Sequence, residues 1–492
     1  MLILDSEVDS AGLLFYILEQ NKNKKESWMR FGYKCLVAFF AVLMQSACSD
    51  DGSSNPVDDG DSTRSASAWN GEPLVDSRNG KTYKTVQIGD QLWMAENLNY
   101  KVDSSYCYNG EESNCSKYGR LYRWAAAVGK PDSVCGWSAP SKCELPEGNI
   151  QGVCPAGWHL PSKDEFQRLL SMVGGHLHAG SELKSTEGWN EDGNGTDSYS
   201  FSVLPAGYVE WGRYHRDFGD RAFFWSSTEY GDSRAYYMGL KAEKTDYCHK
   251  ISEDDPMLII VPDSCTTYDD VRVDWKDKYY AYSVRCIRDE PVAYKPSKTD
   301  RFIIDARDNQ VYATTKIGNQ VWMAENLNFK TDSSIRCSDH GLHYKWADAI
   351  GKSEEECGDG HVCSLPRGNV RGICPNGFHL PSKSEWETLI EFAGGEDVAG
   401  LKLKTTPEWF AESGTDEYRF SAFPAGHKGL YVCEYEDGEV FFWTSTQSDY
   451  KNKEFDYAED YAYAAYSYWY ENGMHVRMEG KRIGFSVRCV KD

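Results

Sequence analysis

The sequence predicts two consecutive domains of the α+β class, each with about two helices and several short, mostly antiparallel strands. Five blocks occur twice in the same order, beginning with IGDQLWMAENLNY at 88–100 and IGNQVWMAENLNF at 317–329. The other pairs are CPAGWHLPSKDEF (154–166) with CPNGFHLPSKSEW (374–386), PAG (205–207) with PAG (424–426), FFWSST (223–228) with FFWTST (441–446), and YSVRC (282–286) with FSVRC (485–489). Copies about 200 residues apart are too long for solenoid units, whose period is about 20–50 residues. Each copy is expected to bury its own core.

Helix signals recur in both copies. Ser162-x-x-Glu165 is a capping box, and the apolar residues that follow it are spaced for one helix face. Ser382 and Glu385 repeat this signal. A second helix is expected over about 118–128. Strands are expected in short aromatic or β-branched runs, among them 83–88, 201–204, 223–225 and 282–286. Few helices among many short strands favour the α+β class.

The N-terminal segment predicts export with a lipid anchor. Residues 29–47 combine basic side chains with an apolar run of about ten residues, which is typical of a secretory signal and shorter than the roughly 20 residues that span a bilayer. Ser46-Ala47-Cys48 resembles the end of a bacterial lipobox, although Gln45 stands where Leu is usual. Cys48 is therefore the expected site of lipidation, by acyl chains such as palmitate.

Charge and composition indicate the organisation of the chain and its partners. The chain has 76 acidic and 53 basic residues, and its net charge of −23 disfavours nucleic acid as a partner. The polar acidic run after Cys48 predicts a flexible tether and resembles the surface-export signals of Bacteroidetes-type lipoproteins. We therefore expect an exported lipoprotein of the outer membrane or cell surface. The predicted segments are a non-native extension (1–28), a lipoprotein signal peptide (29–47), the tether (48–70), copy one (71–290), a linker (291–300) and copy two (301–492).

The cysteines predict a disulfide framework. Copy one has eight and copy two has six, and an exported chain folds in an oxidising compartment. Zinc is the competing interpretation, but no CxxC pair occurs. Correspondence between the copies predicts the long-range pairs Cys154–Cys286 and Cys374–Cys489 and the short pairs Cys135–Cys143 and Cys357–Cys363. Cys107–Cys115 and Cys248–Cys265 are expected to be local to copy one, and Cys337–Cys433 is left by elimination.

The five repeated blocks, in this order in both copies, resemble the Fibrobacter succinogenes major paralogous domain over about 76–289 and 305–492. That family is defined mainly by sequence, and the resemblance implies no established activity. HLPSKSEWETL followed much later by a closing SVRC is more distantly similar to the formylglycine-generating-enzyme group, whose fold is C-type-lectin-like. This similarity implies two tandem disulfide-stapled lectin-like domains, and the Cys154–Cys286 pair fits the long-range disulfide of that fold. We expect the two copies to fold separately.

Two repeated polar motifs have both a functional and a structural interpretation. Glu96-Asn97 and Glu325-Asn326 could bind sugar hydroxyls or a cation, but hydrogen bonds to buried loop backbone are favoured because the flanking residues are apolar. His159 and His379 have no second His or carboxylate at metal-ligand spacing in the sequence. A structural hydrogen-bonding role is therefore favoured for both histidines.

A loop in copy one is a candidate calcium site. Asp192, Asn194 and Asp197 place oxygen ligands at alternate positions among glycines, but an ordinary Asp/Gly turn is favoured because no downstream bidentate Glu follows. The Glu-Pro-Asn signature of calcium-dependent lectins is missing from the sequence. Apart from a calcium ion at this loop, no cofactor is expected.

The aromatic run in copy two is a candidate ligand-binding strand. Tyr466, Tyr468, Trp469 and Tyr470 belong to a segment that alternates like a strand with one ringed face, which could stack on sugar rings or fill the core. The sequence has no GxSxG, HExxH or phosphate-loop motif, and each copy closes on a single Cys. We therefore expect a surface-displayed, lipid-anchored protein that binds polysaccharide or another extracellular polymer without catalysis. The alternatives are an enzyme or enzyme-accessory domain and a structural envelope protein.

Overall fold

The computed structural model describes residues 72–248, 265–294, 300–405, 409, 414–435, 438–448 and 458–492. Over these residues, short helices combine with sheets of antiparallel strands, which confirms the α+β class. No helix in this described part of the chain is long and apolar enough to cross a lipid bilayer.

The first repeat carries its helices between two groups of strands. Its helices are α1 (Glu112–Tyr118), α2 (Trp124–Ala127), α3 (Asp132–Cys135), α4 (Lys163–Met172) and α5 (Ala179–Leu183). Its strands are β1 (Leu74–Asp76), β2 (Lys81–Tyr83), β3 (Thr85–Ile88), β4 (Gln91–Met94), β5 (Ser105–Tyr106), β6 (Leu121–Arg123), β7 (Trp158–His159), β8 (Tyr208–Glu210), β9 (Tyr214–Arg216), β10 (Arg221–Tyr230), β11 (Arg234–Lys241), β12 (Thr245–Cys248), β13 (Cys265–Tyr268), β14 (Arg272–Asp277), β15 (Ala281–Tyr282) and β16 (Ile287–Arg288).

The second repeat follows the same order with fewer elements. Its helices are α6 (Trp346–Ala349), α7 (Glu354–Cys357), α8 (Lys383–Phe392) and α9 (Ala399–Leu403). Its strands are β17 (Phe302–Ile304), β18 (Val311–Ile317), β19 (Gln320–Met323), β20 (Phe378–His379), β21 (His427–Lys428), β22 (Cys433–Glu434), β23 (Glu439–Gln447), β24 (Tyr461–Tyr468), β25 (His475–Gly480) and β26 (Val490–Lys491).

The capped helix of each repeat forms as its sequence indicates. Glu165 N donates to the Ser162 side chain, and the Glu165 carboxylate accepts from Ser162 N at 2.8 Å. Helix α8 begins with the same reciprocal bonds. The single helix expected over 118–128 is wrong, because β6 separates α1 from α2. Residues of β6 pair with β15, placing Tyr122 opposite Tyr282, and this sheet pairing overrides the helical pattern.

In each repeat, the hairpin that leads into the WMAENLN block and the closing strand meet in one sheet. The strand order is β3-β4-β16-β7 in the first repeat and β17-β18-β19-β26-β20 in the second. Ile287 of the closing strand lies opposite both Trp93 and His159. The equivalent Val490 lies opposite Trp322 and His379. The two ends of each repeat are therefore joined by backbone hydrogen bonds.

A long three-stranded sheet divides the core of each repeat into two layers. The sheets are β10-β11-β14 and β23-β24-β25. Trp225 and Phe224 are adjacent on β10 and pack into different apolar clusters, because neighbouring strand side chains point to opposite faces. Trp443 and Phe442 divide the second repeat in the same way. Helix α4 packs on the Phe224 side, where Phe166 contacts Trp93 with 5.7 Å between ring centroids.

Six disulfides are present among the described side chains. They are Cys107–Cys115, Cys135–Cys143, Cys154–Cys286, Cys337–Cys433, Cys357–Cys363 and Cys374–Cys489. Four of these pairs were predicted from the correspondence between the copies, Cys107–Cys115 as local to copy one, and Cys337–Cys433 by elimination. Cys248 and Cys265 lie opposite each other in the β12–β13 hairpin, but their side chains lie outside the described part. The pairs Cys154–Cys286 and Cys374–Cys489 each fasten the segment before a capped helix to the closing SVRC block.

The second repeat also packs against the first. Phe302 of β17 is buried in the same apolar cluster as Met172 of α4, and Ile304 and Val311 pack against that cluster. Ser171 Oγ donates to Glu325 Oε1 at 2.9 Å across this contact. Residues assigned to copy two therefore complete the apolar cluster around α4.

Replacing Cys286 with Ser is expected to lower the free energy of unfolding of the first repeat by about 2–5 kcal/mol, because the bridge spans a sequence separation of 132 residues. Cys115→Ser opens a bridge with a separation of 8 and serves as the matched control, with a smaller expected loss. Denaturant unfolding measures both values. Equal losses, or a non-reducing peptide map that joins Cys154 to Cys143, would contradict this account of the long-range bridge.

Candidate functional site

The repeated WMAENLN and SVRC blocks meet in the interior around a buried arginine. Arg285 is 1% exposed, and its Nε donates to Asn97 Oδ1 at 2.9 Å. Its terminal nitrogens donate to the backbone carbonyls of Phe201 and Ser202. Asn97 in turn donates to Ser283 Oγ at 3.2 Å. Burial lowers the pKa of Arg285 to about 9, so the guanidinium remains charged at neutral pH.

The loop that faces this arginine includes part of the candidate calcium site. Asp197 Oδ1 accepts from Ser202 N at 2.7 Å, and Asp197 Oδ2 accepts from Ser202 Oγ. Asn194 Oδ1 accepts from Trp189 N at 3.0 Å, while Asp192 is exposed. The oxygens of Asn194 and Asp197 therefore fold the loop, which accounts for these residues without a cation.

The second repeat builds the same arrangement from its own residues. Arg488 is fully buried, and its Nε donates to Asn326 Oδ1 at 2.7 Å. Its Nη2 donates to the Ser421 carbonyl at 2.5 Å. Asp416 accepts from both Ser421 N and Ser421 Oγ at 2.7 Å. Because the two repeats share these bonds, we assign the Asn of WMAENLN and the Arg of SVRC to the interior of the fold.

The glutamates of the same motif also bind backbone. Glu96 Oε2 accepts from Lys84 N at 2.7 Å, and Glu325 Oε2 accepts from Ala313 N at 2.6 Å. Burial raises the pKa of Glu325, although its hydrogen bonds partly offset that effect. The structure thus gives Glu96 and Glu325 the backbone role that the sequence favours.

Each motif histidine lies between two carboxylates. His159 Nε2 lies 2.9 Å from Glu165 Oε1, and its Nδ1 lies 2.9 Å from Asp289 Oδ1. His379 has the same geometry, at 2.8 Å from both Glu385 and Asp492. The sequence spacing concealed these partners, because Asp289 and Asp492 follow the closing strands and are far away along the chain. The arrangement ties the capped helix to the end of the repeat.

The charges at this site follow from its partners. Burial opposes the charged ring, but the hydrogen bonds and negative charge of Glu165 and Asp289 outweigh it and raise the pKa of His159. Burial also works against the Glu165 carboxylate, yet the bonds from His159 and Ser162 leave its pKa lowered. When the His159 ring is protonated, it therefore forms an ion pair with its neighbouring carboxylates.

An exposed group of rings in the first repeat is the candidate ligand surface. Trp211, in the β8–β9 turn, stacks on Tyr279 with centroids 3.8 Å apart and planes 6° apart. Trp137, after α3, meets both rings edge-on at 5.2 and 5.7 Å. Trp137 and Trp211 are 44% and 41% exposed. We call these three residues the aromatic surface; sequence periodicity could not reveal it because its members come from three separate loops.

Polar and aromatic groups border the aromatic surface. Tyr280 stacks beside Tyr279 at 4.5 Å and donates through its hydroxyl to Glu210 Oε1 at 3.4 Å. Tyr208 contacts Tyr280 edge-on, with 5.6 Å between centroids. Rings with adjacent carboxylate and hydroxyl groups can contact the apolar face and the hydroxyls of a sugar together.

In the second repeat, the predicted tyrosine strand divides between core and surface. Tyr466 and Tyr468 of β24 are half-buried and pack against Phe441, and Arg477 lies 4.2 Å above the Tyr466 ring. Trp469 packs against the other apolar cluster, and Tyr470 is 54% exposed. Tyr466, Tyr468 and Tyr470 share one face, with successive ring centroids 5.3 and 5.2 Å apart, and Trp469 lies on the other face. Ala464 and Ala465 are both buried because β24 is covered on both faces, with Ala464 in one apolar cluster and Ala465 in the other.

A cavity of about 1090 Å³ lies between the repeats. Phe423 separates two histidine rings there, with His176 at 5.8 Å and His340 at 4.5 Å between centroids. Burial lowers the pKa of His176 to about 4, so its ring is neutral at physiological pH. Asp270 and Arg272 also line the cavity and bind each other at 2.9 Å. The cavity offers polar contacts from both repeats.

One group of side chains in the described part of the chain has the spacing of potential metal ligands. Within the described ranges, Cys107, Glu112 and Cys115 alone form a group of three potential ligands whose atoms lie within 4.8 Å of one another. The disulfide between the two cysteines occupies both sulfurs. This group is therefore a bridge next to an exposed carboxylate.

Comparison with known proteins gives one match. The model of the Fibrobacter succinogenes major domain matches residues 86–288 and 315–491, which together are more than half of the chain. The comparisons with curated proteins and with solved structures gave no match. The two matched ranges correspond to the two repeats and contain all five repeated blocks.

The histidine sites predict a pH-dependent contribution to stability. A raised histidine pKa contributes stability that is full below the unfolded pKa of about 6.5 and is lost as pH rises through the folded pKa. The lowered pKa values of Glu165 and Glu385 contribute stability that is lost as pH falls through their folded values. His159→Gln is therefore expected to cost about 1.5–3 kcal/mol at pH 5.5 and less at pH 8.

Thermal unfolding at the two pH values measures this difference. His361→Gln is the control, because the His361 side chain is exposed. A loss for His159→Gln that is equal at both pH values would show that the ring is not held as a charged partner of Glu165 and Asp289.

Proposed function

The chain belongs to the Fibrobacter succinogenes major domain family, and we propose that it is an exported, lipid-anchored protein that binds polysaccharide or another extracellular polymer without catalysis. In this proposal Cys48 carries the lipid, and the acidic run after it displays the repeats at the outer membrane or cell surface. The observation that carries the binding function is the aromatic surface, in which Trp137 and Trp211 are exposed and Tyr279 is half-buried.

Several disulfides in one chain indicate an exported protein, because such bonds persist in oxidising compartments. The signal-like segment 29–47 and Cys48 lie outside the described residues, so the anchor rests on the sequence pattern. One lipid chain gives only reversible membrane binding, and the diacylated Cys of a lipoprotein supplies the two chains that stable anchoring needs.

The lectin-like assignment is part of the proposal. Its support is the pairing of the hairpin of the WMAENLN block with the closing strand, together with the long-range bridges Cys154–Cys286 and Cys374–Cys489. Two modules of this kind in one chain would give polymer binding an avidity that a single module lacks, provided that both reach the same strand of polymer. The family and the fold name no ligand, so the ligand class is argued from the surface alone.

Aromatic side chains bind sugars by covering the apolar C–H face of the ring. Trp211 and Tyr279 form one stacked unit whose mutual contact holds both side chains in place before a ligand arrives, which reduces the entropy lost on binding. The Tyr280 hydroxyl and the Glu210 carboxylate lie beside this unit to accept or donate hydrogen bonds. In the second repeat, the β21–β22 turn corresponds to the turn that holds Trp211, and it exposes Tyr431.

The cavity between the repeats supports a second candidate, an enzyme or enzyme-accessory domain. It is lined by His176, Asp270 and His340, which are residue types that take part in acid–base chemistry. Binding to a polymer that is lost on changes at the aromatic surface, but not on His340→Ala, favours the first candidate. Turnover of a polymer that depends on His340 favours the second.

Replacing both Trp211 and Tyr279 with Ala is expected to weaken polymer binding at least tenfold, because truncating central aromatic contacts costs 2 kcal/mol or more. The screen uses glycans and cell-wall polymers with the full chain, and the affinity for the best ligand is then compared between variants. Trp275→Ala, an exposed ring on β14 outside the aromatic surface, is the matched control. If the control loses as much affinity as the double variant, the binding site lies elsewhere.

Lipidation is tested separately. Metabolic labelling with a fatty-acid probe is expected to mark the wild-type chain and to leave Cys48→Ser unlabelled, because Cys48 is the proposed acceptor. Cys35→Ser is the control, since Cys35 lies inside the signal-like segment and should not change the label. Equal labelling of wild type and Cys48→Ser would remove the lipid anchor from the proposal.

A further inference from the structure

One end of the first repeat is covered by the second repeat. Met172, the last residue of α4, is fully buried over Gly89, and a Cβ at Gly89 would lie 2.6 Å from its sulfur and 3.4 Å from Phe302. Phe302 and Ile304 of the β17–β18 hairpin supply the cover. This face, built from the end of the capped helix and the turn that follows β3, is here called the tail face.

The second repeat has the same tail face, but there it is open. Phe392 ends α8 as Met172 ends α4, and it lies over Gly318 as Met172 lies over Gly89. Unlike Met172, Phe392 is 52% exposed. Val398, in the turn after α8, adds a further exposed apolar side chain. Of the two equivalent helix ends, the one in the second repeat presents its large apolar residue to solvent, and the one in the first repeat does not.

The first repeat has an open copy of the covering element. Its β1–β2 hairpin corresponds to β17–β18: Leu74 pairs with Tyr83 as Ile303 pairs with Tyr312, and Val75 occupies the position of Ile304. Val75 is 60% exposed. We call the hairpin surface of Val75 the head face.

The β1–β2 and β17–β18 hairpins also share their internal bonds. Asp76 is buried and binds Arg78 at 2.7 Å, and Asp305 binds Arg307 in the same turn. Arg78 lies 3.8 Å over Tyr100, as Arg307 lies 3.7 Å over the Phe329 ring. Because these bonds fix the same turn in both repeats, the open hairpin presents Val75 as β17 presents Ile304, with Pro73 in the place of Phe302.

We propose that the chain associates head to tail with further copies of itself, with the β1–β2 hairpin of one copy docking on the Phe392 face of the next. The contact between the repeats is the template for this interface. A head-to-tail contact leaves one open head and one open tail at the ends, so it produces rings or linear chains rather than closed dimers. A second copy of this chain is the occupant because it carries the hairpin whose equivalent covers Met172.

Charged residues at the edge of the existing contact have counterparts of opposite sign at the edge of the proposed contact. In the existing contact, Glu182 lies 3.6 Å from Arg301 and 3.5 Å from Arg419. The position of Glu182 is taken by Lys402 in the second repeat, and the position of Arg301 is taken by Glu72 in the first. The proposed contact would therefore place Glu72 opposite Lys402, which also lies 3.3 Å from Glu417 of its own repeat.

One pair of residues predicts that the contact between two chains is weaker than the contact between the two repeats of one chain. Ser171 donates to Glu325 in the existing contact, whereas their counterparts Glu391 and Glu96 would place two carboxylates together. Like charges at this position oppose association. Glu391→Ser restores the donor found at Ser171 and is expected to strengthen the association several-fold.

The test uses the full chain with Cys48→Ser, which removes the proposed lipid and its micelles. Sedimentation velocity across a concentration series is expected to show species larger than a dimer. Phe392→Asp and Val75→Asp are each expected to be monomeric, since each removes one face. Mixed in equal amounts, the two variants are expected to form dimers, because the intact head face of Phe392→Asp can dock on the intact tail face of Val75→Asp. These dimers cannot grow, because their remaining head and tail faces carry the Asp substitutions.

The substituted residues are exposed, so unchanged melting temperatures verify folding. At about 1 mM, a contact worth about 4 kcal/mol is half occupied. If the parent chain and Glu391→Ser are both monomeric at this concentration, the proposal is overturned. A mixture of the two Asp variants that stays monomeric, or either Asp variant that associates as the parent does, would also overturn it. Polymer binding is measured at a different surface, so its outcome does not affect this test.

Discussion

The buried arginine of the closing block is the interaction on which the rest of each repeat depends. Arg285 joins the WMAENLN block through Asn97 to the loop before PAG through two backbone carbonyls. Segments nearly 190 residues apart in sequence thus converge on one charged group. A charged side chain at this depth is tolerated only when its donors are satisfied, because burying it unpaired costs several kcal/mol. The positions and types of its partners are therefore constrained together.

That constraint explains the backbone of the loop between 197 and 202. Asp197, Ser200 and Ser202 have positive φ values of 48°, 54° and 52°, and Asp416, Arg419 and Ser421 repeat them at 45°, 54° and 53°. Such conformations cost roughly 1–3 kcal/mol each and persist only where neighbouring contacts enforce them. The Asp–Ser bonds and the arginine supply those contacts, which is why 201–204 is a bridged loop instead of the strand expected from its composition. The repeated motifs maintain the fold, and the surfaces that differ between repeats are where binding is proposed.

Local signals and the duplication made part of this structure predictable. The capping boxes depend on residues three apart, and the cysteine pairs followed from corresponding positions in the two copies. The carboxylate partners of His159 and His379 were hidden because Asp289 and Asp492 reach them only after the chain ends pair in the sheet. The aromatic surface was hidden for a related reason, since Trp137, Trp211 and Tyr279 are brought together by loops with no shared period. The period-2 pattern placed Tyr466, Tyr468 and Tyr470 on one face, but it could not show that Phe441 and Arg477 pack against that face.

The central claim is that Arg285 and Asn97 act as one unit that holds the first repeat together. The most direct measurement is a double-mutant cycle with Asn97→Ala and Arg285→Met, in which amide hydrogen exchange reports the stability of the first repeat and the amides of the second repeat serve as the internal reference. The account predicts losses above 2 kcal/mol for each single variant and a coupling energy of about 1–3 kcal/mol between them. Losses that add to within about 0.5 kcal/mol would contradict it.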